Sequence, residues 1–387
     1  VLRALHPCGE GINIVPKIPD GALTDSVILE RRDEFDVKFP TGLAGFDTAE
    51  TWNVQIVQLP VLKTPIIAIA YVDNTTRDNL YAAWNDALKN FGDLSLSTTT
   101  GHDATYYYPS WHSESSGVAV TILNMANLDA DKAAISMTKE FITIRRTYEG
   151  TTMDFDANQL TNKGRLISGQ IASDLSKETL DIPATEPVGT LKGTQTAYLY
   201  ADIPLSETEL TQQDSKVRQA EAIEGDYSPC RFWEPVFTNS TAKDVAAFDN
   251  VDPNGEDRFI TDALRNINIP LLGWGIKINF WLSIHKTSSI RIKRREGLEM
   301  NTSAMSDYSP FSTPAFPRDD RAQMVFREFC REQDHSFAAC YNSLGGMLKD
   351  IIGTIGGVLS QLNIPIVSDI ARTATPILTT IADVLPI

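Results

Sequence analysis

The chain has 387 residues, with 34 Lys and Arg against 50 Asp and Glu, for a formal charge of −16, and 42% of it is hydrophobic. This describes one large or two modest globular domains and excludes a disordered chain, while Gly 23 and Pro 20 exclude collagen-like and low-complexity readings. The acidic surplus argues against a folded part that coats nucleic acid by charge alone.

No run of eighteen uncharged apolar residues is present, so no transmembrane helix is expected. Cys8, Cys230, Cys330 and Cys340 are too few and too scattered for a disulfide framework. The chain opens VLRALHPCGEG, with neither an initiator Met nor a signal peptide, and a segment before Val1 is expected.

Residues 1–25 read as an extended entry arm punctuated by Pro and Gly. Strands are expected at VILERRDEFDVKF and across TWNVQIVQLPVLKTPIIAIAYV, where Trp52, Val54, Ile56 and Gln58 face one way and Asn53, Gln55 and Val57 face a wetter side. The spacing of Leu80, Ala83, Trp84, Leu88 and Phe91 predicts a helix over 76–91. Residues 95–115 read as loop.

Further strands are expected at 116–128, at 139–150, at 162–173, at 194–204 and at CRFWEPVFT (230–238). In the 139–150 strand, Ile142, Ile144 and Arg146 lie opposite Phe141, Thr143, Arg145 and Thr147. GWGIKINFWLSI and SSIRIKRREGLEM flank the turn HKT as the clearest hairpin. Many short strands with long polar connections indicate an all-β sandwich.

Beyond the Pro-punctuated 308–320 a helix is predicted over 321–340. LGGMLKDIIGTIGGVLSQL (344–362) then places Leu344, Met347, Leu348, Ile351, Ile352, Ile355, Val358, Leu359 and Leu362 on one helical stripe. Its five Gly in nineteen residues cost about 1 kcal/mol each relative to Ala. Such a helix exists only if its apolar side is buried against a partner surface.

Few constellations carry chemistry. Cys330, His335 and Cys340 have part of a zinc-knuckle spacing, but the fourth position is Arg327 and a structural role is the reading. AFDNVDPNGEDRF (247–259) clusters Asp252, Asn254 and Asp257 as a weak calcium site between subunits; Thr261 stands where an EF-hand requires Glu. Nucleophile motifs, H-E-x-x-H and a P-loop are absent, so no enzyme is expected. Arg291, Lys293, Arg294 and Arg295 form a basic ridge that either meets nucleic-acid phosphate or pairs with neighbouring acids such as Glu296 and Glu299.

Three blocks in order resemble the coat proteins of nodaviruses and their relatives, a type that also occurs in bacilladnavirus-like single-stranded DNA viruses. They are KIPDGALTDSVILERRDEF leading into DTAETWNVQIVQLP, the strand pair GIKINFWLSIHKTSSIRIKRREGLEM, and FAACYNSLGGMLKDIIGTIGG followed by NIPIVSDIA. TKEFITIRRTYEGTTMDFDANQLTNKGRLISGQ is similar to the early strands of such a fold.

The resemblance implies a single eight-stranded jelly-roll sandwich over 26–305; polarity alone marks the stretches near 92–115 and 205–265 as its surface insertions. An entry arm (1–25) precedes it; a linker and helix (306–343) and an amphipathic tail (344–387) follow. It also implies a basic arm before Val1, a self-assembling icosahedral shell around single-stranded RNA or DNA, and a host receptor or membrane as partner during entry. By position, Asn342–Ser343 takes the place of the family's self-cleaved bond, with Glu10 as the candidate acid–base group. The alternatives from other classes are a jelly-roll carbohydrate-binding protein, using Tyr106–Tyr108 and Trp111, and a membrane-active pore former using 344–387.

Overall fold

In the computed structural model the described residues are 17–90, 111–123, 141–182, 193–200, 203–248 and 269–338, apart from single positions and short breaks within those ranges. They are mainly β. The order is β1 (Val27–Lys38), β2 (Thr51–Gln58), β3 (Ile66–Tyr71), α1 (Arg77–Asn90), β4 (His112–Ser115), β5 (Val118–Leu123), β6 (Phe141–Asp156), β7 (Arg165–Ile171), β8 (Leu175–Ile182), β9 (Gly193–Tyr200), α2 (Glu207–Gln213), β10 (Arg218–Glu221), β11 (Asp226–Pro229), β12 (Ser240–Thr241), β13 (Val245–Phe248), β14 (Ile276–His285), β15 (Ser289–Thr302) and α3 (Asp320–Glu332).

One sheet runs β1-β15-β6-β11, with β12 also on β6. A second runs β10-β7-β14-β2-β3-β5-β4, and a small third runs β13-β9-β8. Pairing is antiparallel except between β13 and β9. Among the described residues there are therefore fifteen strands in three sheets, more than the eight expected.

Alternation explains how the two large sheets meet. Phe35 and Val37 of β1, Ile290 and Ile292 of β15, and Met153 and Phe155 of β6 pack against Trp52, Val54 and Ile56 of β2, Ala68 and Ala70 of β3, and Trp281 and Ile284 of β14. In β1, β2, β3, β6 and β15 these are the alternate positions that period-two patterning places on one face; in β14 a register shift between Trp281 and Ile284 brings both to the same side. The opposite face of the second sheet is not wet. Val57, Ile67, Ile69, Val120, Ile278 and Phe280 lie under Leu80, Ala83 and Trp84 of α1 and Leu210 of α2. Gln55 stays polar there because it bonds within the protein: Trp84 Nε1 donates to its Oε1 at 2.8 Å and its Nε2 donates to the Pro204 carbonyl at 2.6 Å.

Four local expectations are corrected. The strand pair around HKT is no hairpin in the hydrogen-bonding sense: β14 pairs with β2 and β7, and β15 with β1 and β6. The turn carries the chain from one sheet to the other because Trp281, Ile284, Ile290 and Ile292 all point into the core between them. In β6 the alternation is broken by an irregularity between Asn301 and Thr302 of its partner β15, so Phe141 is buried and Ile142 is 59% exposed.

Residues 230–238 are not a strand; the neighbouring Asp226–Pro229 pairs with β6 instead, and Phe232 makes only an isolated bridge to Trp274. Finally, the stretches expected to be surface insertions contribute to the sheets. His112–Ser115 pairs with β5, while β10 and the fully buried β11 belong to the two large sheets.

Candidate functional site

Towards one end of the sandwich the apolar filling gives way to charge. The inward positions there are Arg31 of β1, Arg294 and Glu296 of β15, Arg146 and Glu149 of β6, and Lys277 and Asn279 of β14. Glu296 is met by Arg31 Nη1 at 3.1 Å, Arg146 Nη2 at 3.0 Å and Arg294 Nη2 at 2.6 Å. Glu149 is met by Arg146, by Lys277 Nζ at 3.4 Å and by Arg294 Nε at 3.3 Å. Asp33 adds a contact to Arg294 at 3.4 Å. Lys277 also donates to the Ser228 carbonyl at 2.8 Å and to Thr151 Oγ1 at 3.1 Å.

The electrostatics follow from this crowding. Burial would raise the Glu149 pKa, but Arg146, Lys277 and Arg294 outweigh it and hold the carboxyl well below the usual range. Glu296 is lowered in the same way, burial being overcome by Arg294, Arg31 and Arg146. Desolvation would lower the Arg294 pKa; Glu296, Glu149 and Asp33 raise it instead. Asp33 goes the other way, its burial exceeding the pull of Arg294 and Arg31. The arrangement fixes ions against ions and joins the two sheets.

A second buried pair lies where α3 ends. His335 Nδ1 stands 3.1 Å from both carboxylate oxygens of Asp226, and Asn279 Nδ2 donates to Asp226 Oδ2 at 2.9 Å. Next to it, Tyr227 and Ser336 exchange backbone hydrogen bonds of 2.8 and 2.9 Å. His335 and Ser336 thus cover the open edge of β11, as exposed edges require. His335 therefore serves Asp226, while Cys330 is buried in an apolar cluster with Phe232, Trp274 and Cys230. Burial pushes the Cys230 thiol up to about 11 and raises that of Cys330 further, so neither is a ready nucleophile.

The third feature ties the entry arm to the shell. Arg145 Nη2 meets Glu299 at 2.8 Å and also contacts Asp20, Ser26 Oγ donates to Glu299 Oε1 at 2.8 Å, and the Ile18 amide donates to Glu299 Oε2 at 3.2 Å. The Asp319 amide and Gln323 Nε2 both donate to the Pro19 carbonyl, at 3.0 and 2.6 Å. Chain segments some 300 residues apart in sequence are thereby bound together.

The expected basic ridge is split. Arg294 is 1% exposed and belongs to the buried network, so it faces no nucleic acid. Arg291 and Lys293 are exposed on the other side of β15, where Arg291 meets Asp36 at 3.3 Å and Glu34 at 3.5 Å and Lys293 meets Asp154 at 3.1 Å. Arg295 shares that outer side and is half-buried. Alternation separates neighbours in sequence onto opposite faces, and the strands flanking β15 supply the acids. Of the aromatic residues expected in a carbohydrate site, Trp111 packs edge-on against Trp52 and donates Nε1 to the Lys38 carbonyl at 2.7 Å.

Glu10, Asn342, Ser343, the apolar tail positions from Leu344 to Leu362, Asp252, Asn254, Asp257 and Tyr106–Tyr108 lie outside the described residues. Pairing of the ridge with Glu296 was one of the two sequence readings, and Arg294 makes it. What the sequence reading missed is that the pair is buried and joined by Arg31, Arg146, Glu149 and Lys277; the signal was Arg146 at an inward position of an alternating strand beside Ile144.

Residues 8–199 match peptidase family A21. No curated protein sequence matches the chain. Among solved structures, the chain is similar to infectious bursal disease virus Gx strain at 8% identity, with 88% of this chain and 97% of that chain covered and a TM-score of 0.48. It is similar to infectious bursal virus derived T=1 particles at 8% identity, covering 84% and 88%, with a TM-score of 0.45. For the decameric BFDV capsid protein the values are 10% identity, 71% and 97% covered, and a TM-score of 0.22.

Proposed function

We propose that this polypeptide builds a virus shell. It is a viral capsid protein, a structural component of the virion that forms icosahedral particles by associating with copies of itself. The observation that carries the reading is the strand order: β1-β15-β6-β11 faces β10-β7-β14-β2. These eight strands, with the chain passing between sheets at nearly every connection, support a jelly roll of two Greek keys. β3, β4 and β5 widen the second sheet, and β8, β9 and β13 form an addition.

The matched group differs from the nodavirus-type coat proteins expected from the sequence blocks, so assignment to that particular group remains part of this proposal. Negative-stain microscopy of the purified protein tests the reading: closed shells are expected, and discrete monomers under all assembly conditions refute it.

The enclosed partner is single-stranded nucleic acid, held elsewhere than on the ion-paired outer side of β15, and a host receptor or membrane is met during entry. A calcium ion between subunits at Asp252, Asn254 and Asp257 belongs to the same proposal; particles indifferent to a chelator would remove it. By resemblance to the nodavirus type, scission of the Asn342–Ser343 bond with Glu10 as acid–base group belongs to the same proposal; the part matching peptidase family A21, residues 8–199, includes Glu10 and not that bond. Mass spectrometry of mature particles decides it: Ser343 as a new N-terminus supports scission, and an intact chain rejects it.

A further inference from the structure

Beside the first two turns of α3 lies an apolar pocket of about 150 Å³. It is lined by Ile18 and Pro19 of the entry segment, Phe237, Phe316, and Ala322 and Phe326 of α3. Phe316 is 52% exposed, and Val236, the sequence neighbour of the pocket-lining Phe237, is exposed as well. Large apolar side chains grouped around an open hollow mark a surface that something covers.

We infer that the occupant is the apolar stripe of residues 344–362 of the same chain, laid back along α3 with its large side chains in this pocket. The exit point of the chain argues for it. The contact of His335 with Asp226, the two backbone bonds between Ser336 and Tyr227, and the close approach of Ala338 to Gly225 fix His335, Ser336 and Ala338 against β11 and the turn before it. From the pocket-lining Ala322 and Phe326, α3 runs on to Glu332 and carries the chain roughly 10–15 Å beyond the pocket towards that point. The six residues from Ala338 to Leu344 span up to roughly 20 Å when extended, which brings the stripe back over α3.

As a helix, residues 344–362 would measure about 28 Å, enough to cover α3. The segment contains only Lys349 and Asp350 as charged residues, so little charge would be desolvated. Its five Gly make the stripe dependent on a surface to fold against, and they let its backbone approach α3 closely. The nearest such surface belongs to its own subunit. The inference goes beyond the capsid reading, because it concerns the unassembled subunit.

Hydrogen exchange of the full chain, as dilute unassembled subunits, tests it. Peptides within 344–362 should be protected. The double variant Phe316→Ser, Ala322→Arg should speed their exchange at least tenfold while peptides of β14 and β15 keep the wild-type rate. Leu348→Asp, which leaves the shell domain untouched, should give the same loss from the other side. Wild-type exchange of 344–362 at the free-chain rate would overturn the inference, as would protection unchanged in both variants. Protection that rises with protein concentration would assign the pocket to another copy, and protection gained only with phosphatidylcholine vesicles would assign the stripe to lipid; either result overturns it too. Failure would leave the capsid reading standing, since microscopy scores particle formation separately.

Discussion

Glu296 illustrates how a charge survives inside a sandwich. It is fully buried, and three guanidinium groups meet it within 3.1 Å. Desolvating such groups is costly, and removing one partner leaves the others uncompensated. Glu296→Gln should therefore lower stability by about 3–5 kcal/mol, read as a fall in the urea midpoint.

The same network sets the acid response. The folded pKa of Glu149 lies below the ordinary 4.5 that it has in the unfolded chain, so the unfolded chain takes up the proton first. Its contribution is complete above that value and is lost as pH falls towards the folded pKa. Glu296 and Asp226 act in the same sense, whereas Asp33, whose pKa is raised, opposes them. The urea midpoint should be level near neutral pH and fall below about pH 4.5. Glu149→Gln should flatten that acid limb; an unchanged slope would remove Glu149 from the account.

At the scale of elements, helices α1 and α2 turn what alternation marked as a wetter face into a second core. Trp84 joins α1 to β2 through both its ring and its bond to Gln55. Trp84→Phe should keep most of the packing but leave the buried Gln55 oxygen without its donor, costing about 1–3 kcal/mol. Thermal unfolding monitored by circular dichroism checks this; a change below 0.5 kcal/mol, the scale of an ordinary surface substitution, would mean that the bond contributes little.

Much of this level was readable. The extents of β1, β2, β3, β5, β7, α1, β14 and β15 follow period-two or period-3.6 patterns. Three things were not. Which strands pair depends on contacts between distant segments, so the apparent hairpin of β14 and β15 became a crossing between sheets. The irregular pairing of β6 with β15 shifts alternation by one residue and exposes Ile142, a displacement that no local pattern encodes. A strand of four residues such as β11 is too short to show a period at all.

For the whole molecule, the outer side of β15 carries exposed cations already matched by Glu34, Asp36 and Asp154. Exposed pairs of this kind contribute little to stability, and they leave little net field to attract phosphate. The double variant Arg291→Ala, Lys293→Ala should therefore still form particles and package nucleic acid at the wild-type ratio of absorbance at 260 to 280 nm. A marked loss of packaged nucleic acid would restore this side of β15 as a genome contact. The acidic charge of −16 leads the same way, because a net negative protein does not attract a polyanion by charge alone.

By itself the sequence determined that the protein is β-rich and where most strands and two of the helices run; its apolar stripe over 344–362 stays an expectation that lies outside the described residues. These properties are local, set by residue type and by periodicity over ten or twenty positions. Tertiary structure alone decided that Arg294 is an interior ion rather than a surface one, that Glu149 and Glu296 hold the two sheets together, and that Pro19 and Gln323 are neighbours. Charge in a strand can face water or core with the same pattern around it; only the partners brought from far along the chain determine whether its burial is compensated.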